Sequence, residues 1–145
     1  MAYIPLTENN DTQVIYNVTT DDSDEIFHGL GGDDTFLVNT FLVNNYVYGI
    51  SISGSDSAGF RSELQWDVVH LAVSARFNAL SFIDVLTFTS PNSATTLTYS
   101  ANSSFGVSQV VGSTAGIDTI HFTSASERVN LDLSGTVFAN WGRAN

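Results

Sequence analysis

The fold is decided by residues 29–36, which read Gly29-Leu30-Gly31-Gly32-Asp33-Asp34-Thr35-Phe36. Glycines in three of the first four positions allow a tight turn whose carbonyl groups point inward. The aspartates that follow carry carboxylate oxygens, which are the ligands that hard cations prefer. Phe36 is placed to begin a short strand facing a core. The stretch therefore predicts a glycine-rich turn that leads into a strand and suits a cation.

The same stretch is one imperfect copy of the nonapeptide G-G-x-G-x-D-x-U-x, in which U is a large apolar residue. Upstream, Asp24-Glu25-Ile26 repeats the D-x-U half of this pattern. Residues 112–120 form a degraded second copy, with Gly116 shortly before Asp118. Two copies of unequal quality indicate a repeat architecture rather than an isolated turn.

A longer frame, D-x-U-x-U, recurs along the chain. Its four copies begin at Asp34, Asp67, Asp84 and Asp118, at intervals of 33, 17 and 34 residues. These intervals are close to two, one and two units of about 17 residues, near the two nonapeptides of one turn of a parallel β-roll. Since side chains alternate along a strand, the two U positions share one face. His70 and His121 fill the same outward position of the frame and are expected about three turns apart.

Apolar runs rich in β-branched and aromatic residues alternate with Gly, Asn, Asp and Ser clusters, which is typical of strands and turns. The expected strands are 13–18, 35–38, 46–52, 68–73, 85–88, 96–99, 109–111 and 119–122. We expect a single all-β domain over residues 1–145, with a turn insertion at 51–65. The predicted architecture is a short, irregular parallel β-roll or β-solenoid, and an antiparallel β-sandwich is the alternative.

The charge of the chain limits the classes of partner that we expect it to bind. Its formal net charge is −11, it has no lysine, and its four cations are arginines. Such a surface repels nucleic acid and anionic membranes, whereas divalent cations are a natural counter-charge. Cysteine is absent, so disulfides and thiolate metal sites are excluded. The N-terminus lacks the pattern of a signal peptide, and no apolar run reaches membrane-spanning length, so we expect no membrane insertion.

Residues 24–36, and more weakly 112–122, resemble the RTX or hemolysin-type calcium-binding repeats of bacterial parallel β-rolls. That resemblance implies an exported protein and a calcium ion held between adjacent turns. The implied ligands are the carboxylates of Asp24, Asp33 and Asp34 and the carbonyls of Gly29, Gly31 and Gly32. The chain departs from the family because it lacks uninterrupted tandem copies. In addition, His28 or Leu30 stands where a glycine is expected.

We expect a non-catalytic, calcium-associated structural or adhesive module of a bacterial secreted or cell-surface protein. No G-x-S-x-G, H-E-x-x-H or phosphate-binding glycine loop is present, so an enzyme is not predicted. One alternative is a carbohydrate-binding β-sandwich that uses Tyr46, Tyr48 and Trp66. A second is a small polysaccharide hydrolase or lyase whose acids are Glu63 and Asp67.

The predicted location is extracellular or on the cell surface, after export without a cleaved N-terminal signal. An extracellular glycan or a surface protein is the expected target of an adhesive module. Residues 137–145 offer neither a helix nor a polar cap to cover the end of a solenoid. Either the chain is a piece of a longer protein, or another copy covers this end, which predicts a homo-oligomer through open solenoid ends.

Overall fold

The computed structural model describes residues 2–15, 25–39, 46–54, 65–90, 94–100, 105–114, 116–124 and 131–141. These residues form eleven strands and no helix. In chain order the strands are β1 (Ala2–Pro5), β2 (Thr12–Ile15), β3 (Glu25–His28), β4 (Thr35–Val38), β5 (Tyr46–Ser53), β6 (Val68–Leu71), β7 (Ser74–Phe88), β8 (Thr95–Ser100), β9 (Phe105–Val111), β10 (Asp118–Thr123) and β11 (Val137–Ala139).

All pairings between these strands are parallel, and they join the strands into one curled sheet with two halves. The first half runs β1-β3-β5-β7-β8-β10, and the second runs β2-β4-β6-β7-β9-β11. The chain alternates between the halves, so each coil contributes one strand to each of them. This is a short parallel β-roll, as predicted, and the antiparallel β-sandwich is wrong.

Strand β7 supplies a complete coil by itself. It runs for 15 residues, and its two ends pair with opposite halves of the sheet. Phe82 lies between them with φ 57°, a left-handed conformation that is rare for a bulky residue. This one residue turns the corner that other coils turn with a loop, which is why 17 residues suffice between Asp67 and Asp84.

The core is built from columns of side chains that point inward from successive coils. In the second half, Phe36, Val69, Leu86 and Val110 stack in register, and all four are fully buried. The inward residues of both halves belong to one hydrophobic cluster. Burying a large apolar side chain contributes about 1.5–3 kcal/mol. The alternating pattern read from the sequence therefore supplies the main stabilisation of the roll.

The first interval between the D-x-U-x-U frames was interpreted wrongly. Asp34 and Asp67 stand on adjacent coils, so the interval of 33 residues is one coil with a long connection rather than two units. In the predicted insertion at 51–65, residues 51–53 end β5, and residues 55–64 lie outside the described residues.

The fourth frame does not join the column of the other three. Asp118 begins β10, which pairs with β8 in the first half, and its register partner is Thr95. His121 therefore lies beside Thr98 in the first half, whereas His70 lies in the second half. The expectation that the two histidines share one position is wrong, because a frame of alternating residues does not distinguish the two halves.

Candidate cation site at the aspartate column

Four aspartates stack at one corner of the roll, each just before or within a strand of the second half. We call Asp11, Asp34, Asp67 and Asp84 the aspartate column. The N–H of Asp11 donates to Oδ1 of Asp34 at 2.9 Å, and the N–H of Asp34 donates to Oδ1 of Asp67 at 2.9 Å. The N–H of Asp67 donates to Oδ2 of Asp84 at 2.7 Å. Each of these carboxylates thus satisfies a backbone donor of the preceding coil at the point where the chain turns.

The column ends at the first coil in an exposed turn. The carboxylate of Asp11 accepts hydrogen bonds from the N–H of Thr7 at 2.7 Å and from its hydroxyl at 2.6 Å. These bonds hold the pKa of Asp11 below 3.8. Asp11 thereby closes the turn of residues 7–11 and presents its own N–H to Asp34.

Asp34 is the electrostatically strained member of the column. Its side chain is 1% exposed, and Oδ2 has no hydrogen-bond partner among the described residues. Burial and, to a smaller extent, the charges of Asp67, Asp11 and Asp33 together raise its pKa from 3.8 to about 6, although the N–H donated by Asp11 opposes the rise. At neutral pH the group is mainly ionised, so the corner carries a buried negative charge beside other carboxylates.

Glycines make room for these carboxylates. A Cβ on Gly29 would collide with Oδ2 of Asp34, and one on Gly54 would collide with Oδ2 of Asp67. The N–H of Gly29 donates to the carbonyl of Ser53, so the two glycines follow β3 and β5 at equivalent positions. The repeated pairing of a glycine with a buried aspartate is a structural feature of this corner.

The turn of residues 29–34 lies directly on the turn of residues 6–11. The N–H of Asp33 donates to Oδ1 of Asn10 at 2.9 Å, and the N–H of Gly31 donates to the carbonyl of Thr7 at 3.4 Å. Gly32 has φ 89°, and a Cβ there would strike the backbone of Asn9. The predicted glycine-rich turn is therefore present, and close packing of the two turns requires it.

The predicted calcium ligands are only partly brought together. Asp33 is exposed, and its Oδ1 accepts the N–H of Trp66 from the following coil at 2.8 Å, whereas Asp34 reaches back to Asp11 of the preceding coil. Asp24 lies outside the described residues. Among the residues that the structure describes, no group of three or more His, Asp or Glu side chains is arranged to hold a metal ion.

Of the predicted ligands, Asp34 fits a cation best. Calcium takes six to eight oxygen ligands, many of them carboxylate or carbonyl oxygens. Oδ2 of Asp34 is a buried carboxylate oxygen without a hydrogen-bond donor among the described residues. Asp33 is exposed, and its Oδ1 already accepts one hydrogen bond, from Trp66 of a different coil. Further oxygens would have to come from Asp24 and from the carbonyls of the glycine turn.

Sequence reasoning missed Asp11 and Gly54 as corner residues. Asp11 is followed by Thr12 and Gln13, so the apolar position of the D-x-U frame is polar there. Gly54 stands far from Asp67 in sequence because a long connection separates them. The detectable signal is the glycine directly after a strand, which recurs at Gly29 and Gly54.

The residues proposed for the alternative functions lie only partly within the described residues. Asp67 is fully buried within the aspartate column, and Glu63 lies outside the described residues. Trp66 is 56% exposed, whereas Tyr46 and Tyr48 lie on β5. A hydrolytic acid needs access to substrate. Asp67 instead accepts the N–H of Asp34.

The turn of the degraded second nonapeptide, at residues 112–118, is closed by its own aspartate. Oδ2 of Asp118 accepts the N–H of Ser113 at 2.6 Å, and Gly116 has φ 106°. Asp118 is buried at the start of β10, on the other half of the roll from the aspartate column. The degraded second nonapeptide therefore forms an ordered turn that is separate from the candidate site.

The described residues contain no helix long and apolar enough to cross a bilayer. Comparisons with protein-family models, with curated proteins and with solved structures each found no match.

Proposed function

We propose that this chain is a non-catalytic structural or adhesive module of a bacterial secreted or cell-surface protein, and that it associates with calcium at the aspartate column. The proposal includes a relationship of the chain to the RTX β-rolls. The observation that carries it is the column itself, in which Asp34 is buried, charged at neutral pH and left with a free carboxylate oxygen among the described residues.

The structural role is supported by how the carboxylates are used. Those of Asp34, Asp67 and Asp84 each accept a backbone N–H from the preceding coil. A charge-assisted hydrogen bond is worth about 1.5–3 kcal/mol when its donor is otherwise buried. The acidic residues of this corner therefore align coils, which is the task of a scaffold.

The calcium association is supported by the charge at the corner. Arg76 is the sole arginine of the described residues, and it lies exposed on β7 in the half of the roll opposite the column. His28 adjoins Gly29, but burial lowers its pKa and favours its neutral form. A cation shared by Asp24, Asp34 and the glycine-turn carbonyls would offset the repulsion and hold the first turns together.

Thermal melting of the full chain with calcium and with a chelator tests the proposal. An ion that binds only the folded state stabilises it by about 2.7 kcal/mol at a hundredfold excess over Kd. For a chain of this length, each 1 kcal/mol shifts Tm by about 2–4 °C. We expect calcium to raise the Tm of the wild-type chain by several degrees and to leave Asp34→Asn unchanged.

Asp132→Asn is the matched control, because Asp132 is an exposed aspartate whose Oδ1 accepts the N–H of Ser134 rather than an N–H of the column. It should keep the full response to calcium. An equal Tm in calcium and chelator for the wild-type chain would remove the calcium association, while leaving the scaffold role of the column intact.

A further inference from the structure

Among the described residues, the core columns of the roll end at the coil of β10 and β11, which is called the final coil below. Phe122 continues the column of Phe77 and Tyr99, which are fully buried, yet Phe122 itself is only partly buried. Phe138 follows Val110 in the second half and is 39% exposed. Within the part of the chain that the structure describes, these two apolar side chains are thus more exposed than their partners on the preceding coils.

Part of the final coil has a cover. The indole of Trp141 packs against Phe88 with ring centroids 5.7 Å apart, and against Phe138 at the same distance. This cover lies over the second half of the roll. In the first half, Ile120 and Phe122 end their columns as partly buried residues on β10.

Strand β10 also has a free edge among the described strands. It pairs with β8 on one side and runs for six residues without a proline, lysine or arginine. Natural proteins protect exposed edges with short strands, prolines or charges, because an unprotected edge pairs readily with another chain. The free edge of β10 and the partly exposed apolar side chains therefore lie at the same end of the roll.

The opposite end of the roll is protected. Its strands β1 and β2 have four residues each, and Pro5 of β1 has no N–H to offer to a further strand. Gln13 ends the column of Phe36, so a polar side chain occupies the inward position there. A final coil stacked on the first coil of another copy would bury this glutamine. Head-to-tail stacking is therefore unfavourable.

The charge of the final coil fits a second copy of the same chain. Within β10 and β11 the only acidic residue is Asp118, which is buried and bonded to Ser113, and the described turn before β11 adds one exposed carboxylate, that of Asp132. Two such coils can approach with less repulsion than the net charge of −11 would suggest. We propose that the final coils of two copies pair face to face about a two-fold axis, edge β10 against its symmetry mate.

The proposal predicts a closed dimer, since an isologous contact uses up the surface that forms it. Ile120, Phe122 and Phe138 of each copy would cover those of the other. Neither calcium nor the aspartate column takes part in this contact, so the dimer can be tested independently of the proposed function.

Sedimentation equilibrium of the full chain over a wide range of concentration tests this, in chelator and in calcium. We expect a monomer–dimer equilibrium in both. Ile120→Lys should weaken the dimer at least tenfold, whereas Ile4→Lys, at the protected end of the first half, should leave it unchanged. Circular dichroism melting checks that each variant is folded.

The double variant Thr119→Glu with His121→Glu guards against misfolding by Ile120→Lys, because both positions are exposed on β10. It should remain folded and also weaken the dimer. A wild-type chain that stays monomeric at the highest concentration overturns the proposal. Assemblies that grow without limit would also overturn it. A dimer that Ile4→Lys disrupts but that the β10 variants leave intact would do the same.

Discussion

The backbone N–H of Asp34 donates to Oδ1 of Asp67 at 2.9 Å, although 33 positions separate the two residues. The bond joins the second and third coils of the roll at the corner where each chain segment enters the second half. Equivalent bonds join Asp11 to Asp34 and Asp67 to Asp84. Carboxylates therefore add to the backbone bonds at this corner, where the N–H of Val68 also donates to the carbonyl of Asp34 at 2.8 Å. The predictions below follow from this arrangement.

The bond between Asp34 and Asp67 predicts that Asp67→Ala destabilises the fold by about 1–3 kcal/mol, because a buried N–H loses its acceptor. Denaturant unfolding in chelator measures the change. Glu8→Ala, at an exposed acid, should stay within about 0.5 kcal/mol of the wild type. Equal stability of Asp67→Ala and the wild type would show that the column does not hold the coils together.

The glycines beside the carboxylates predict a second effect. Gly29→Ala and Gly54→Ala place a Cβ against the carboxylate oxygens of Asp34 and Asp67, so either the carboxylate or the backbone must move. We expect each to cost about 1–3 kcal/mol, as overpacking does in a tightly packed site.

Gly135→Ala is the matched control for these two variants, because a Cβ at Gly135 would meet nothing within 4 Å. It should be neutral or stabilising by about 0.4–1 kcal/mol, through its effect on the unfolded chain. If all three substitutions had the same effect in denaturant unfolding, the close approach of glycine to carboxylate would be refuted.

The raised pKa of Asp34 predicts a pH dependence in chelator. Its folded-state pKa of about 6 exceeds the unfolded value of 3.8, so the folded state binds a proton at Asp34 at a higher pH than the unfolded state does. The contribution of Asp34 to stability is thus fully present below pH 3.8 and is lost as the pH rises through about 6. Lowering the pH from 7 to 5 should therefore stabilise the wild-type chain relative to Asp34→Asn.

Comparing the wild-type chain with Asp34→Asn isolates the contribution of Asp34. The lowered pKa of His28 acts in the opposite direction, but both proteins contain His28, so its contribution cancels. The lowered pKa values of Asp11 and Asp132 keep both groups ionised throughout this window. Unfolding free energies that run parallel for the wild type and Asp34→Asn between pH 7 and 5 would contradict the raised pKa.

The repeat pattern predicted the class of fold because alternating apolar residues specify an inward face wherever a strand forms. The frames at Asp34, Asp67 and Asp84 indeed stack in register. The pattern did not reveal which half a strand joins, since a frame of alternating residues is the same in both halves. Asp118 was therefore assigned to the wrong column.

Three of the short strands, β1, β3 and β11, were also missed. Strands β1 and β3 have four residues each, and β11 has three. Pro5 and His28 interrupt the apolar alternation in the first two, and pairing with a neighbouring coil stabilises what local propensity does not. At the candidate site, the sequence predicted the glycine turn and Asp34. The bond to Asp67 depends on coil stacking, which sequence spacing did not disclose.

Isothermal titration of calcium into the full, chelator-stripped chain tests the proposed cation site most directly. We predict that the wild-type chain and Asp132→Asn bind calcium with a saturable heat, and that folded Asp34→Asn does not. Absence of any saturable heat in the folded wild-type chain at millimolar calcium, or equal binding by Asp34→Asn, would contradict the assignment of calcium to the aspartate column.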